Sequence, residues 1–211
     1  VGLTFAEYQE TKKVGLPESA ESIFRVWSTD VSLIGPDRTM WKDAYPLTPQ
    51  AEAAHANWDR VADNPYIRCE NGMLAIMDQF FPMEIVNEGD RILIRLEELD
   101  MIRTVHMTDA FPEPSPSPLG HSVGRWDGET FVVATTHVTW PWFDQTGVPQ
   151  TDAVAFIERF TLSSNGLRLN YSIRATDPDT FTEPVVLTRD WIWLPGETLQ
   201  PYECTIQESN Y

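Results

Sequence analysis

The chain has 211 residues, 42% of them hydrophobic, enough apolar material for one domain with a sizeable core. It carries 15 basic against 32 acidic residues, a net charge of −17, and a field of that sign disfavours nucleic acid and anionic membrane surfaces as partners. No run is long and apolar enough to be a membrane-spanning helix.

The acidic balance is that of a secreted or salt-adapted surface, and a start at Val1 rather than Met is compatible with a processed leader. The two cysteines, Cys69 and Cys204, lie in no CxxC or Cys/His cluster, so no zinc site is expected. Two readings stay open for them. A disulfide would close a long loop, contribute about 4–5 kcal/mol on the chain-entropy model, and point to an oxidising compartment. The other reading is a pair of buried thiols in a cytosolic protein.

In chain order, residues 1–22 read as a polar N-terminal arm with Lys12, Lys13 and Pro17. Ile23 to Ser28 is strand-like, and residues 29–47, with Pro36 and Pro46, suggest an ordered loop. Thr48 and Pro49 open the one clear helix, with Thr as cap, Pro in the first turn and four alanines behind them. The helix is expected to reach about Val61 and to carry His55 as a surface or packing residue. Residues 62–81 are irregular.

From Pro82 the period changes to two. Strands are expected at 83–87, 91–97, 101–108, 121–126, 129–138, 154–163, 167–175, 184–194 and 200–206. Glu88-Gly89, Asp127-Gly128, Asn165-Gly166 and Pro195-Gly196 mark turns between them. Eight or nine strands joined in this way make an all-β antiparallel meander that can close into an up-and-down barrel. The domain is then single: arm, helix and loops over 1–81, barrel over 82–211. Two long loops, 109–119 with its prolines and 139–153 with Trp140, Trp142, Phe143 and Asp144, are expected at the barrel mouths.

Gly120-His121-Ser122-Val123-Gly124 matches the G-x-S-x-G nucleophile pattern, but that pattern works on a turn from strand to helix. Here a second strand follows at once, so Ser122 is not expected to act as a nucleophile. A type I′ turn at Asp127-Gly128 pairs Trp126 with Glu129, Gly124 with Phe131 and Ser122 with Val133. Alternation then puts His121 on one face and His137 on the other, so the two should not meet without a bulge.

The string MEIVNEGDRILIRLEELDMIRTVHM, followed by GHSVGRWDGETFVVATTHV, AFIERFTL and a late PYEC, resembles a large, mostly uncharacterised bacterial family of exported proteins with lipocalin-like architecture. The likeness runs from about Thr48 to Thr205. It implies export to the periplasm or medium, a barrel, and cysteines near Cys69 and Cys204, which favours the disulfide. His137 stands where many relatives carry Asn.

Hairpin arithmetic gives the inward residues. Ile85 pairs with Ile92 and Met83 with Ile94 about Glu88-Gly89. A turn at Leu99-Asp100 pairs Leu96 with Arg103, and Asn165-Gly166 pairs Leu162 with Leu169, Phe160 with Tyr171 and Glu158 with Ile173. Arg103, Glu158 and Arg189 thus sit in apolar rows facing the interior, either as a structural ion network or as a binding site.

Three kinds of function follow. The first is binding of a small apolar or aromatic molecule inside the barrel, with Arg103, Glu158, Arg189, Trp126 and Tyr171 as the wall. The second is a lyase, isomerase or hydrolase using Glu158 as base and His106, His121 or His137 as acid. The third is an accessory subunit contacting a protein partner through the Trp140–Trp142 loop. No cofactor and no metal is expected, because the four histidines show no ligand spacing.

Overall fold

The computed structural model describes residues 23–30, 44–107 and 114–206. The N-terminal arm over 1–22, much of the 29–47 loop and the start of the proline-rich loop lie outside the described residues. Nine strands follow one another around a closed barrel: β1 (Val26–Thr29), β2 (Met83–Asn87), β3 (Arg91–Leu96), β4 (Met101–His106), β5 (His121–Asp127), β6 (Thr130–Thr136), β7 (Ala155–Leu162), β8 (Arg168–Thr176) and β9 (Val185–Trp193). Each strand pairs with its chain neighbours, and β1 closes the ring on β9 through Trp27↔Trp193 and Thr29↔Trp191.

One pair departs from the meander. β4 and β5 run parallel and share only two register positions, Val105↔Ser122 and His106↔Val123. The cause is the connection: the long segment after His106 returns the chain to the end from which β4 started, and parallel neighbours need such a crossover. A second correction concerns residues 200–206, which form no strand. β9 is already flanked by β8 and β1, so no free edge remains for another strand, and Pro201 has no N–H for a ladder. The segment instead runs over the β3–β4 connection, where Gln200 N–H donates to Glu97 Oε2 at 2.8 Å and Tyr202 N–H to the Asp100 carboxylate at 3.3 Å.

The turns explain the registers. Gly128 has φ +60° and takes the first central position of a Gly128-Glu129 loop, as a type II′ turn requires. Trp126 therefore faces Phe131, Gly124 faces Val133 and Ser122 faces Thr135, two residues from the expected pairing. The β2–β3 hairpin slips likewise, to Ile85↔Ile94, and β3–β4 slips the other way, to Ile94↔Arg103. The β7–β8 hairpin keeps Leu162↔Leu169 and Glu158↔Ile173 as expected. A slip of two restores every side chain to its face, because the strand period is two.

Helix α1 (Pro49–Ala56) is capped by Thr48 Oγ1, which accepts from Ala51 N–H at 3.2 Å. It stops short of Val61. The Asn57 side chain turns back to the Ala53 carbonyl at 2.8 Å, and Asp59 Oδ1 then takes the Val61 and Ala62 N–H groups into a new turn.

The barrel core contains a segment that period-two reading does not reveal. Every residue from 71 to 79 is buried, and Met73, Leu74, Ile76 and Met77 pack into one cluster with the inward Ile85, Ile94, Phe131, Phe156 and Trp191. This plug is tied to the loops at one barrel end: Met73 N–H donates to the Pro118 carbonyl at 3.0 Å, and Gln150 Nε2 donates to the Met73 and Trp140 carbonyls at 2.6 and 2.7 Å. Just ahead of it, Cys69 is disulfide-bonded to Cys204 with a Cα–Cα distance of 5.9 Å. Among the described residues no helix is long and apolar enough to cross a membrane.

Candidate functional site

Five consecutive strands each send one polar side chain to a single interior point. Arg103 on β4 donates through Nη1 to Glu158 Oε1 on β7 at 2.8 Å, and through Nη2 to Glu158 Oε2. Nη2 also reaches Thr135 Oγ1 on β6 at 2.6 Å, while Nε and Nη2 reach Ser122 Oγ on β5 at 3.1 and 3.0 Å. The Tyr171 hydroxyl, from β8, donates to Glu158 Oε1 at 2.8 Å. All five residues are no more than 2% exposed. This is the inward pairing of Glu158 with an arginine that strand parity predicts.

Electrostatics follow from that geometry. Burial alone pulls the Arg103 guanidinium down, but the charge and hydrogen bonds of Glu158 outweigh it, and its pKa ends above the ordinary value. Burial, and then the Glu158 charge, push the Tyr171 hydroxyl well up, so its proton stays in place. A carboxylate bound by a bidentate guanidinium and a phenol has its lone pairs engaged. It serves poorly as a general base and well as a tie between strands.

Arg189 is inward too, at 7% exposure, but the structure does not bring it to Glu158. It turns to the plug. Nη1 reaches the Asp78 carboxylate and, at 2.9 Å, the Asp78 carbonyl, and Nη2 reaches the Gln79 carbonyl at 3.1 Å. Nη2 also donates to Thr29 Oγ1, and the guanidinium lies 5.5 Å from the centre of the Phe80 ring. Its pKa falls to about 10, because burial is not fully compensated.

The histidines gather outside this network. The rings of His106 and His121 stack, with centroids 5.1 Å apart and planes 24° off parallel, because the β4–β5 pairing sets their strands side by side. His137 leaves the strand with φ +58°, so alternation no longer holds at that position. Burial first, and then the neighbouring His106 and His137 charges, depress the His121 pKa below its ordinary value. The His106 and His121 rings thus meet at the β4–β5 seam. They remain across the barrel wall from Glu158, since His121 and Ser122 are successive residues pointing to opposite faces. The expected Glu158–histidine acid–base pair is not assembled.

Where β4 and β5 splay below their short ladder, an open cleft of about 200 Å³ enters the wall. Its lining includes His106, His121, Thr104 and Ser117 on the outside, and Arg103 and Ser122 at the back. Gly120 lines it as well, with φ +71°, and an added Cβ there would fall 2.7 Å from the Thr136 carbonyl oxygen. The cleft therefore ends on the buried network.

The other expected site residues fall elsewhere. Trp126 is 44% exposed and packs on Phe24 and Phe131 at the opposite end from the plug. Ser122 lies inside β5 with no helix after it and is already bonded to Arg103 and Thr135. Trp140 is 8% exposed, Trp142 packs against Trp58, and His55 Nε2 lies 3.1 Å from the Thr146 carbonyl. Sequence reading missed Ser122 and Thr135 as network partners, although the two-residue slip in β5–β6 would have placed them opposite each other. It missed Asp78 because nothing periodic marks the plug. Among the described residues no group of three metal-ligating side chains is placed to hold an ion. Neither the known protein-family models nor the curated proteins give a match to the chain.

Proposed function

We propose that this is an exported binding barrel that takes a small molecule at the seam between β4 and β5. The observation that supports this reading most is the cleft that runs from the two outer histidines to Arg103 and Ser122. Pockets that combine a few convergent polar groups with apolar walls are the usual small-molecule sites, and Ile102 and Leu119 supply the walls here. The interior is less suited to a ligand, since residues 71–79 occupy much of it. Export is supported by the Cys69–Cys204 disulfide, which suits an oxidising compartment, and by the resemblance to exported barrels. Catalysis by Glu158 is the weaker reading, because Arg103 and Tyr171 already hold both its oxygens. So is docking through Trp140 and Trp142, whose rings are packed into the molecule.

The test is native mass spectrometry of the protein purified from its source, beside Thr104→Trp, which fills the cleft from its outer wall. A small molecule should accompany the wild type and be lost from a variant that melts normally. The same mass retained by Thr104→Trp would move the site into the barrel and overturn the seam reading.

A further inference from the structure

We infer that the ligand of the seam cleft is a short peptide in extended conformation, which hydrogen-bonds through its main chain to the open edge of β4. The inference rests on the seam reading and names the class of ligand.

The edge follows from ladder geometry. Along an antiparallel pair, successive residues turn their N–H and C=O groups alternately toward the partner and away from it. Met107 N–H donates to the Asp90 carbonyl on the β3 side at 2.8 Å. Positions 101, 103 and 105 therefore also face β3, and 102, 104 and 106 face β5. The β4–β5 ladder holds only Val105↔Ser122 and His106↔Val123, so it engages β4 from the Thr104 carbonyl onward. Among the described residues, Ile102 N–H, Ile102 C=O and Thr104 N–H have no main-chain partner.

Gly120 is the residue that would continue the ladder, since the register carried one step further sets it opposite Arg103. Its φ of +71° curls the chain instead. Gly120 N–H donates to the Ser117 carbonyl at 3.0 Å, and Ser117 Oγ donates to the Gly120 carbonyl at 3.1 Å. The neighbouring main chain is engaged as well. Ser117 N–H donates to the His137 carbonyl, the Ser117 carbonyl also takes Thr139 N–H, and the Pro118 carbonyl takes Met73 N–H. This wall turns away from β4, and the open cleft of about 200 Å³ lies between the two.

An acceptor at Ile102 and a donor at Thr104 fit one residue of an added parallel strand, which bonds with both its N–H and its C=O. Strand addition takes affinity from the main chain and specificity from alternate side chains. The residue so held comes opposite Arg103, and its side chain points inward. The linked side chains of Arg103, Ser122 and Thr135 close the cleft behind it, so that position takes a small residue. The residues before and after it point outward, where Ile102, 54% exposed, and Leu119 offer apolar contact. The preferred sequence is apolar, small, apolar.

The probe is acetyl-Val-Ala-Val-amide, which is uncharged. The control is the same peptide N-methylated at alanine, which cannot donate to the Ile102 carbonyl. Calorimetry gives the affinities, and NMR gives the amide signals and their exchange. In the free protein the Ile102 and Thr104 amides should exchange freely. Protection of both would mean that the edge is already covered, and would overturn the inference. The probe should slow Thr104 exchange about tenfold or more, and N-methylation should weaken binding about fivefold or more. Thr104→Pro removes the seam-facing N–H and leaves the β3 ladder intact. It should melt as the wild type does and lose the probe, and the N-methyl comparison decides if this variant fails to fold. Equal binding of both peptides, with the cleft signals shifted, would overturn main-chain recognition and leave the seam site standing. If the probe leaves the Ile102 and Thr104 signals unmoved, the peptide inference fails. The seam site then stands or falls on the copurifying molecule and Thr104→Trp.

Discussion

Two arginines inside this barrel have nearly the same burial and opposite situations. Arg103 is held by side chains from three other strands, and its guanidinium is driven above its ordinary pKa. Arg189 is held by the Asp78 carboxylate, two carbonyls of the plug and Thr29, keeps an Nε without a hydrogen-bond partner among the described residues, and falls to about 10. The first ties wall to wall, and it does so across the seam where β4 and β5 share only two register positions. The second ties wall to filling. What a buried charge stabilises is decided by which segments supply its partners, and how much it stabilises by how completely they surround it.

That contrast can be broken most sharply at Glu158. Glu158→Gln leaves Arg103 buried without its countercharge, and the fold should lose about 3–5 kcal/mol. Denaturant melts measure the loss, and hydrogen exchange should rise first at Val105, Ser122 and their neighbours along the seam. Uniform loosening of all strands would contradict the stapling role of the network.

Arg189→Met should cost less, about 2–4 kcal/mol, because it removes hydrogen bonds to two plug carbonyls and leaves Asp78 buried. Exchange should rise at the amides of 71–79 while β6 to β8 stay protected. Equal loss of protection at the seam would mean that plug and wall are one unit.

The smallest effect belongs to a third buried charge, Glu98, which is 7% exposed and has an Oε2 that finds no partner among the described residues. Burial raises its carboxyl to about 7. The fold thus favours the protonated acid over the unfolded chain. Its stability contribution is full below about pH 4.5 and is lost as pH rises through about 7. Glu98→Gln should stabilise the protein by about 1–3 kcal/mol near pH 8 and change little near pH 4. A variant no more stable than wild type at pH 8 would show that the ionised carboxylate is solvated or paired.

Faces were legible in the sequence where registers were not. Arg103, Glu158 and Arg189 point inward as alternation predicts, because period two survives a slip of two residues. The slip at Asp127-Gly128 arises from a choice that propensity leaves open: glycine can take the first central position of a II′ turn or the second of a I′ turn. Partners across the barrel, such as Ser122 and Thr135 for Arg103, depend on that choice and on the parallel β4–β5 pairing. The plug is invisible for another reason. Its residues are buried on all sides, so no stripe or alternation marks them. The His106–His121 stack depends on the parallel β4–β5 pairing, which no hairpin signal in the sequence marks.

The ring closes through β1 and β9, the first and last strands described, and the disulfide joins Cys69 to the tail beyond β9. A chain made from its N-terminus can add β2 through β8 one after another, by hairpins everywhere but at the parallel β4–β5 crossover, but Val26–Thr29 has one of its two partners only when Val185–Trp193 arrives. Until then β1 and β8 each present an open edge able to recruit a strand from another molecule. Long-range pairing of this kind is slow. The interval before closure is therefore when the protein is most exposed to mispairing, and it ends with the same C-terminal stretch that brings Cys204 to Cys69. A truncation there would remove both the last wall of the barrel and the bond that secures it.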